Sequence, residues 1–217
     1  MGFNAVLAAA GGARNYMARR QVDKRVSLLC HFDGNLVDSS SYGATLSTIG
    51  TPSYINSTIA SFGKRLSCLS QGITTYIPHA DLSGPFCIDL MMGGTFAGYD
   101  AHTYLSIGGL KYSNPGMGHD ATNFAINDTV LLSSPTTAGS LYTITRDLSN
   151  VLRIYVNGVQ KYSGANTTDF SPGATAITLG MGSNNCWIDE LRIVSGCPVR
   201  TTNFAPYSAP FTGFEAL

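Results

Sequence analysis

From residue 26 onward, apolar and polar side chains alternate in short runs, the period expected of strands with one face buried. Val26, Leu28, Cys30 and Phe32 fall on one side of the first run and Ser27, Leu29 and His31 on the other, and Asp33-Gly34 ends it. Leu66 to Leu69 and Thr74 to Ile77 predict two short strands, the second closed by Pro78. Phe86, Ile88, Leu90 and Met92 then alternate with Cys87, Asp89 and Met91. Tyr104 to Ile107, Phe124 to Ile126 and Val130 to Leu132 follow, and Ala176 to Met181 and Trp187 to Val194 close the series. The strongest local signal is Val151 to Tyr162, where two strand-like runs flank Asn157-Gly158. Asn-Gly tolerates positive φ at both central positions, so this pair predicts a type I′ hairpin. Many short strands, closely spaced turns and no alternating helices predict an all-β fold, a two-sheet antiparallel sandwich. After Cys197-Pro198 the alternation stops, and Pro and Phe punctuate an extended tail, expected to cross a sheet edge and blunt it.

The first 25 residues read differently. Val6 to Ala10 and Ala13 to Val22 use good helix formers around a Gly11-Gly12 break. Such a helix is marginal alone and needs a partner to hold it. The chain therefore divides into an N-terminal arm, 1–25, and a sandwich with an extended C-terminal tail, 26–217. Formal net charge is zero over 217 residues, but the arm holds Arg14, Arg19, Arg20, Lys24 and Arg25 against Asp23 alone. The arm is thus +4 and the body, with eight Lys/Arg against twelve Asp/Glu, is −4. A basic arm on an acidic body predicts anchoring on an acidic protein surface. No basic stripe interleaved with aromatics supports a nucleic-acid partner.

Charged residues make up only 12% of the chain and hydrophobic ones 44%, which suits turns and a core and excludes a solvated, disordered chain. The apolar stretch near the N-terminus precedes its basic residues instead of following them, and no stretch is long enough to span a bilayer. The expectation is a soluble chain with no membrane insertion, outside the conventional secretory route. Five cysteines, with no C-x-x-C pair, predict free thiols packed as small apolar groups, with one disulfide left open.

Several stretches resemble concanavalin A-like, laminin-G-like domains. Leu28-Leu29-Cys30-His31-Phe32-Asp33-Gly34, followed by Val37-Asp38-Ser39-Ser40, is similar to their opening strand and loop. Phe62-Gly63 with Leu66 is similar to their second strand, and Leu141 to Arg146 with Leu152 to Gln160 to their central hairpin. Trp187-Ile188-Asp189-Glu190-Leu191-Arg192-Ile193, then Arg200 to Pro206 and Ala209-Pro210-Phe211, resembles their closing strand and tail, in the version carried by tailed bacteriophages. The resemblance covers about residues 26–211, with no match from about 93 to 140. It implies a jelly-roll sandwich and, from the phage version, a virion structural protein: a capsid or tail decoration module, homo-oligomeric, with other virion proteins as partners. The fold is reused for adhesion and hydrolysis as well, so a lectin binding host-surface glycan is the alternative and a glycan hydrolase a third reading.

Hydrolytic members of this fold carry acidic residues at alternating strand positions, which places carboxylates on one face as an acid–base pair. No such strand occurs here. Asp189 and Glu190 are adjacent, and Glu190 and Arg192 are expected to form a surface pair of little energetic value. No serine has a nucleophile-elbow context, and no enzyme activity is expected. The resemblance implies a structural Ca²⁺ between the first loop and the last strand, for which Asp33, Asp38 and Asp189 are the candidate ligands. Asp189 shares strand parity with Trp187, Leu191 and Ile193, so its carboxylate is expected to face inward and to need a partner. For sugar binding, Tyr99, Tyr104, Tyr112, Asn114, His119 and Asn123 in the unmatched middle are candidates, although most rings of such a sandwich belong to its core.

Overall fold

A computed structural model describes residues 23–211 and 213, except 52, 58–61, 69–71, 95–101, 115–120, 128, 136–138, 174–175, 183–185 and 212. Arg14, Arg19 and Arg20, with the predicted arm helix, lie outside the described residues.

Fifteen strands are present among the described residues: β1 (Val26–Cys30), β2 (Leu46–Ile49), β3 (Ser53–Asn56), β4 (Lys64–Ser67), β5 (Gly72–Thr75), β6 (Phe86–Gly94), β7 (His102–Ile107), β8 (Leu110–Asn114), β9 (Ala121–Ile126), β10 (Thr129–Pro135), β11 (Ser140–Arg146), β12 (Val151–Val156), β13 (Val159–Ala165), β14 (Ile177–Gly182) and β15 (Cys186–Ser195). They form two antiparallel sheets, one ordered β13-β12-β11-β6-β15-β4-β3 with β1 also on β15, the other β10-β9-β8-β7-β14-β5-β2. The all-β, two-sheet sandwich is therefore as the alternation predicts. Ile88, Leu90, Ile144, Ile154, Leu191 and Ile193 of the first sheet share one core with Ile73, Leu105, Leu110, Phe124 and Leu179 of the second. Each buried side chain of this size contributes about 1.5–3 kcal/mol.

The Asn157-Gly158 hairpin is present, with φ of 50° and 75° at its two turn residues and Val156 paired to Val159. Two strands have no apolar alternation to announce them, β2 and β3, both largely exposed, and β8 alternates over only Leu110 to Ser113.

Two bulges shift side chains relative to the predicted faces. In β1 the register slips between Val26 and Leu28. Leu28, Cys30 and Phe32 remain in the main core, while Val26 joins Leu29 on the opposite side. In β15, Ile188 pairs with Met92 but Leu191 pairs with Leu90, so Asp189 and Glu190 together oppose a single residue of β6. The extra residue reverses the phase of the strand. Ile188 and Leu191 both enter the core, and Trp187 instead packs with Phe62, Met91 and Tyr207.

The tail meets the β13 edge at Asn203 and then crosses the outer face of the first sheet. Phe204, Tyr207 and Phe211 cover Val26, Leu29, Cys87, Leu141 and Val194 on the outer side of the first sheet. Phe204 N donates to Gly158 O at 3.0 Å, and Gln160 N donates to Asn203 Oδ1 at 2.9 Å, which ties the tail to the hairpin. With both faces covered, every residue of β1 is buried and β15 is buried up to Val194.

Candidate functional site

The β15 bulge gathers several ionisable groups. Glu190 is fully buried and accepts a hydrogen bond from Phe211 N at 3.0 Å, while its Oε2 lies 2.9 Å from His31 Nδ1. Hydrogen bonding to Glu190 raises the pKa of His31 against the opposing effect of burial. Asp189 is also fully buried, and its Oδ2 accepts from Ser57 Oγ at 2.6 Å. Among the described residues its Oδ1 has no hydrogen-bond partner. Burial, reinforced by the neighbouring charges of Glu190 and Asp33, raises the Asp189 pKa to about 7. Arg65 stacks over the Trp187 ring at 4.2 Å, and burial lowers its pKa although Asp189 works against that.

The expected surface pair of Glu190 with Arg192 does not form. Both are fully buried, with Glu190 on His31 and Arg192 on Asp89. The bulge separates their roles, because Glu190 belongs to the extra residue pair and Arg192 to the regular strand beyond it.

Nor do the described residues build the calcium cradle that the resemblance implies. Asp38 is consumed by the first loop: Oδ1 accepts from Leu29 N and Ser40 N, at 3.0 and 2.8 Å, and Oδ2 from Ser40 Oγ and Ala44 N, each at 2.7 Å. Four donors on two oxygens leave Asp38 as the organiser of its own turn. Asp33 is exposed and accepts from Lys64 N at 2.8 Å. Asp33 and Asp189 are close enough to influence each other, but among the described residues no three His, Cys, Asp or Glu side chains are placed to hold a metal ion.

On the outer face, Arg192 Nη2 lies 2.6 Å from Asp89 Oδ2, and both side chains are fully buried. Thr143 Oγ1 donates to Asp89 Oδ1 at 2.6 Å, and Arg192 Nη2 donates to Tyr207 OH at 2.8 Å. Phe211 covers the guanidinium at 4.8 Å. Burial works against the Arg192 charge, but Asp89 beside it more than offsets this and holds the pKa above its ordinary value. Sequence reading sets Asp89 at a polar strand position and Arg192 beside Glu190, and nothing local joins the two across 103 positions.

Of the arm residues, Lys24 and Arg25 are described, and both belong to the sandwich. Arg25 pairs with Asp23 at 2.6 Å, Ser195 N donates to Arg25 O, and Tyr42 OH donates to Lys24 O. Among the sugar-site candidates, Asn123 accepts from Ser133 Oγ on the neighbouring strand. Tyr99 and His119 lie outside the described residues, as do the side chains of Tyr104, Tyr112 and Asn114, whose backbones belong to β7 and β8. Among the described residues, exposed aromatics lie on the first loop and after β5. Tyr42 stacks face to face on His79, with ring centroids 3.8 Å apart and planes at 11°. Tyr42 and Tyr76 are 46% and 49% exposed, and Val37 is 55% exposed. Val37 bridges to Thr45, whose carbonyl accepts from Thr75 Oγ1, so the first loop and the segment after β5 share one corner of the sandwich.

No family model matches the chain, and no curated protein matches it in sequence. Solved structures do match in fold. The crystal structure of the botulinum neurotoxin serotype G binding domain superposes with a TM-score of 0.57 at 18% identity, covering 88% of this chain and 49% of that one. The receptor binding domain of a botulinum neurotoxin C/D mosaic serotype gives 0.59 at 15% identity, covering 87% and 49%. The serotype D binding domain gives 0.57 at 15% identity, covering 78% and 48%. The chain spans about half the length of each neighbour, and at these identities the likeness is one of fold, a β-sandwich. Among the described residues, no helix is long and apolar enough to cross a membrane.

Proposed function

We propose that the chain is a non-enzymatic virion structural protein of a tailed phage, a capsid or tail decoration module held by its basic N-terminal arm and displaying the sandwich. The observation that carries this reading is the closing pattern from Trp187 to Phe211, which resembles the phage version of the fold. Here that pattern becomes a strand and a tail locked together through Glu190 and Arg192. A non-catalytic role is supported by the use of the buried carboxylates: Glu190 holds His31 and the tail, and Asp89 holds Arg192 beneath the tail. Because Asp23 to Arg25 hydrogen-bond to the sandwich, the truncation that spares those contacts ends at residue 22. Deleting 1–22 should abolish incorporation into particles while the circular dichroism of the sandwich is unchanged. Normal incorporation of the truncated chain would overturn the reading.

A second reading, adhesion to a host-surface glycan, is supported by the exposed Tyr42–His79 stack and by the fold shared with receptor-binding domains. Flat stacked rings suit the apolar face of a sugar. On a glycan array, Tyr42→Ala should lose whatever binding the full chain shows. No binding by the full chain at high micromolar concentration removes this reading.

A further inference from the structure

We propose that Cys68 and Cys186 form a modification site, a cross-strand dithiol that closes to a disulfide when the chain meets a small-molecule disulfide oxidant. Trp187 pairs with Ser67 and Ile188 with Leu66, which brings Cys186 directly opposite Cys68. Cys68 N donates to Cys186 O at 2.8 Å, so the two form a hydrogen-bonded pair. Opposed residues of that kind lie about 5.5 Å apart at Cα, inside the range of about 4.4–6.8 Å that disulfides span. Both side chains lie in the main core. Cys186 Sγ also approaches Cys68 O at 3.8 Å and Gly180 O at 3.9 Å.

The facing sheet leaves room for two sulfurs at this point. Gly180 has φ of +65°, and a Cβ there would fall 2.4 Å from Cys68 Sγ. Cys186 opens β15 and Cys68 lies just past β4. No other two described cysteines stand opposite each other in the strand register; Cys30 faces Leu191, and Cys87 faces Thr145 and Val194.

The step is a thiol–disulfide exchange. One cysteine thiolate attacks the oxidant and releases a small thiol, and the second thiolate then displaces another from the mixed disulfide. Two S–H bonds are lost, one S–S bond forms, and the oxidant carries away two electrons and two protons as two thiols. The hydrogen bond from Cys186, together with burial, raises the Cys68 thiol well above its ordinary value. Thiolate is therefore scarce in the closed fold, and closure proceeds during folding or through opening of the strand ends. The dithiol is then the form in a reducing compartment and the disulfide the form in an oxidising one.

The test refolds the reduced full chain from urea in a mixture of oxidised and reduced glutathione, followed by peptide mass mapping without reduction. The expected product is one peptide pair joined through Cys68 and Cys186. Its thermal midpoint should lie roughly 5–15 °C above that of the reduced chain, because the bond closes a long loop. The same treatment should leave Cys186→Ala with no such gain. Joining of other cysteines, glutathione adducts without closure, or an oxidised midpoint at or below the reduced one would each overturn the proposal. If Cys186→Ala does not fold, the wild-type peptide map and midpoint decide alone.

Discussion

Asp89 and Arg192 meet across β6 and β15 with no solvent exposure, joined by Nη2–Oδ2 and Nε–Oδ2 contacts of 2.6 and 3.1 Å. They are direct neighbours in the register, and Tyr207 and Phe211 of the tail close over them. Removing one partner leaves a buried charge uncompensated, which costs about 3–5 kcal/mol. Asp89→Ala and Arg192→Ala are each expected to lose that amount in urea unfolding. The double change Asp89→Leu with Arg192→Met, which removes both charges and keeps the volume, should recover most of it. If the single changes are as mild as the double, the pair does not hold the tail face.

The tail is clamped hardest at the hairpin. A Cβ on Gly158 would fall 1.9 Å from Phe204 O, and its φ of +75° disfavours any L side chain. Gly158→Ala is therefore expected to cost about 2–5 kcal/mol and to loosen the tail, seen as faster proteolysis after residue 198. Gly43 is the control. It has a similar φ of +61° but nothing within 4 Å of a Cβ, so Gly43→Ala should cost only about 1–2 kcal/mol. Equal losses at the two positions would show backbone strain alone, without the clash against Phe204.

These clamps mark where the sequence stopped being legible. The sandwich could be read because Phe86, Ile88, Leu90 and Met92 alternate cleanly, and the hairpin because Asn157-Gly158 has one dominant turn geometry. The destination of the tail could not be read. Once it covers the outer face, Cys87 and Asp89 are as buried as Ile88, and burial no longer follows a period of two. The bulge at Asp189–Glu190 was hidden for a related reason: one inserted residue reverses every later side chain while leaving local composition unchanged. Asp38 was ambiguous for another reason: its oxygens serve the backbone of its own loop, a use that spacing alone does not distinguish from metal ligation. Arg146 is legible only as the end of a hairpin strand. It is a buried cation that donates to the carbonyls of Leu82, Gly84 and Thr168, with Phe86 and Phe170 against the guanidinium and Asp81 and Asp169 near enough to favour its charge.

Among the described residues, Phe211 is the last apolar anchor of the tail. It is 1% exposed, packs edge-on against Tyr207 with centroids 4.8 Å apart, and carries the backbone N–H that Glu190 accepts. Phe211→Ala removes the ring but keeps that N–H. A loss of about 3–5 kcal/mol in denaturant unfolding is expected, with dye-detectable apolar surface at Val26, Leu29 and Val194. A loss below about 1 kcal/mol would mean that the tail contributes little to holding the outer face.

The β15 bulge sets the pH response of the fold. Asp189 keeps its proton to about pH 7 when folded, against an ordinary value of 3.8, because it is buried and faces Glu190 and Asp33, with Arg65 and Ser57 acting the other way. Between those values the folded chain binds more protons than the unfolded one, so stability falls as pH rises through the interval. His31, raised above 6.5 by its hydrogen bond to Glu190, acts in the same direction: its contribution is complete below 6.5 and is lost as pH rises through the folded value. Asp147 opposes this at the acid end. Burial pushes its pKa up, but Arg153 and the Val151 and Ser149 N–H groups hold it lower, so its contribution is lost as pH falls. The sandwich should therefore be most stable in mild acid, near about pH 5. Asp189→Asn keeps the Ser57 contact and removes the charge, so it should raise stability at pH 8 by about 1–3 kcal/mol and flatten the decline above pH 5. Urea unfolding of both chains from pH 4 to 9 checks this, and parallel curves for wild type and variant would place the pH dependence somewhere other than Asp189.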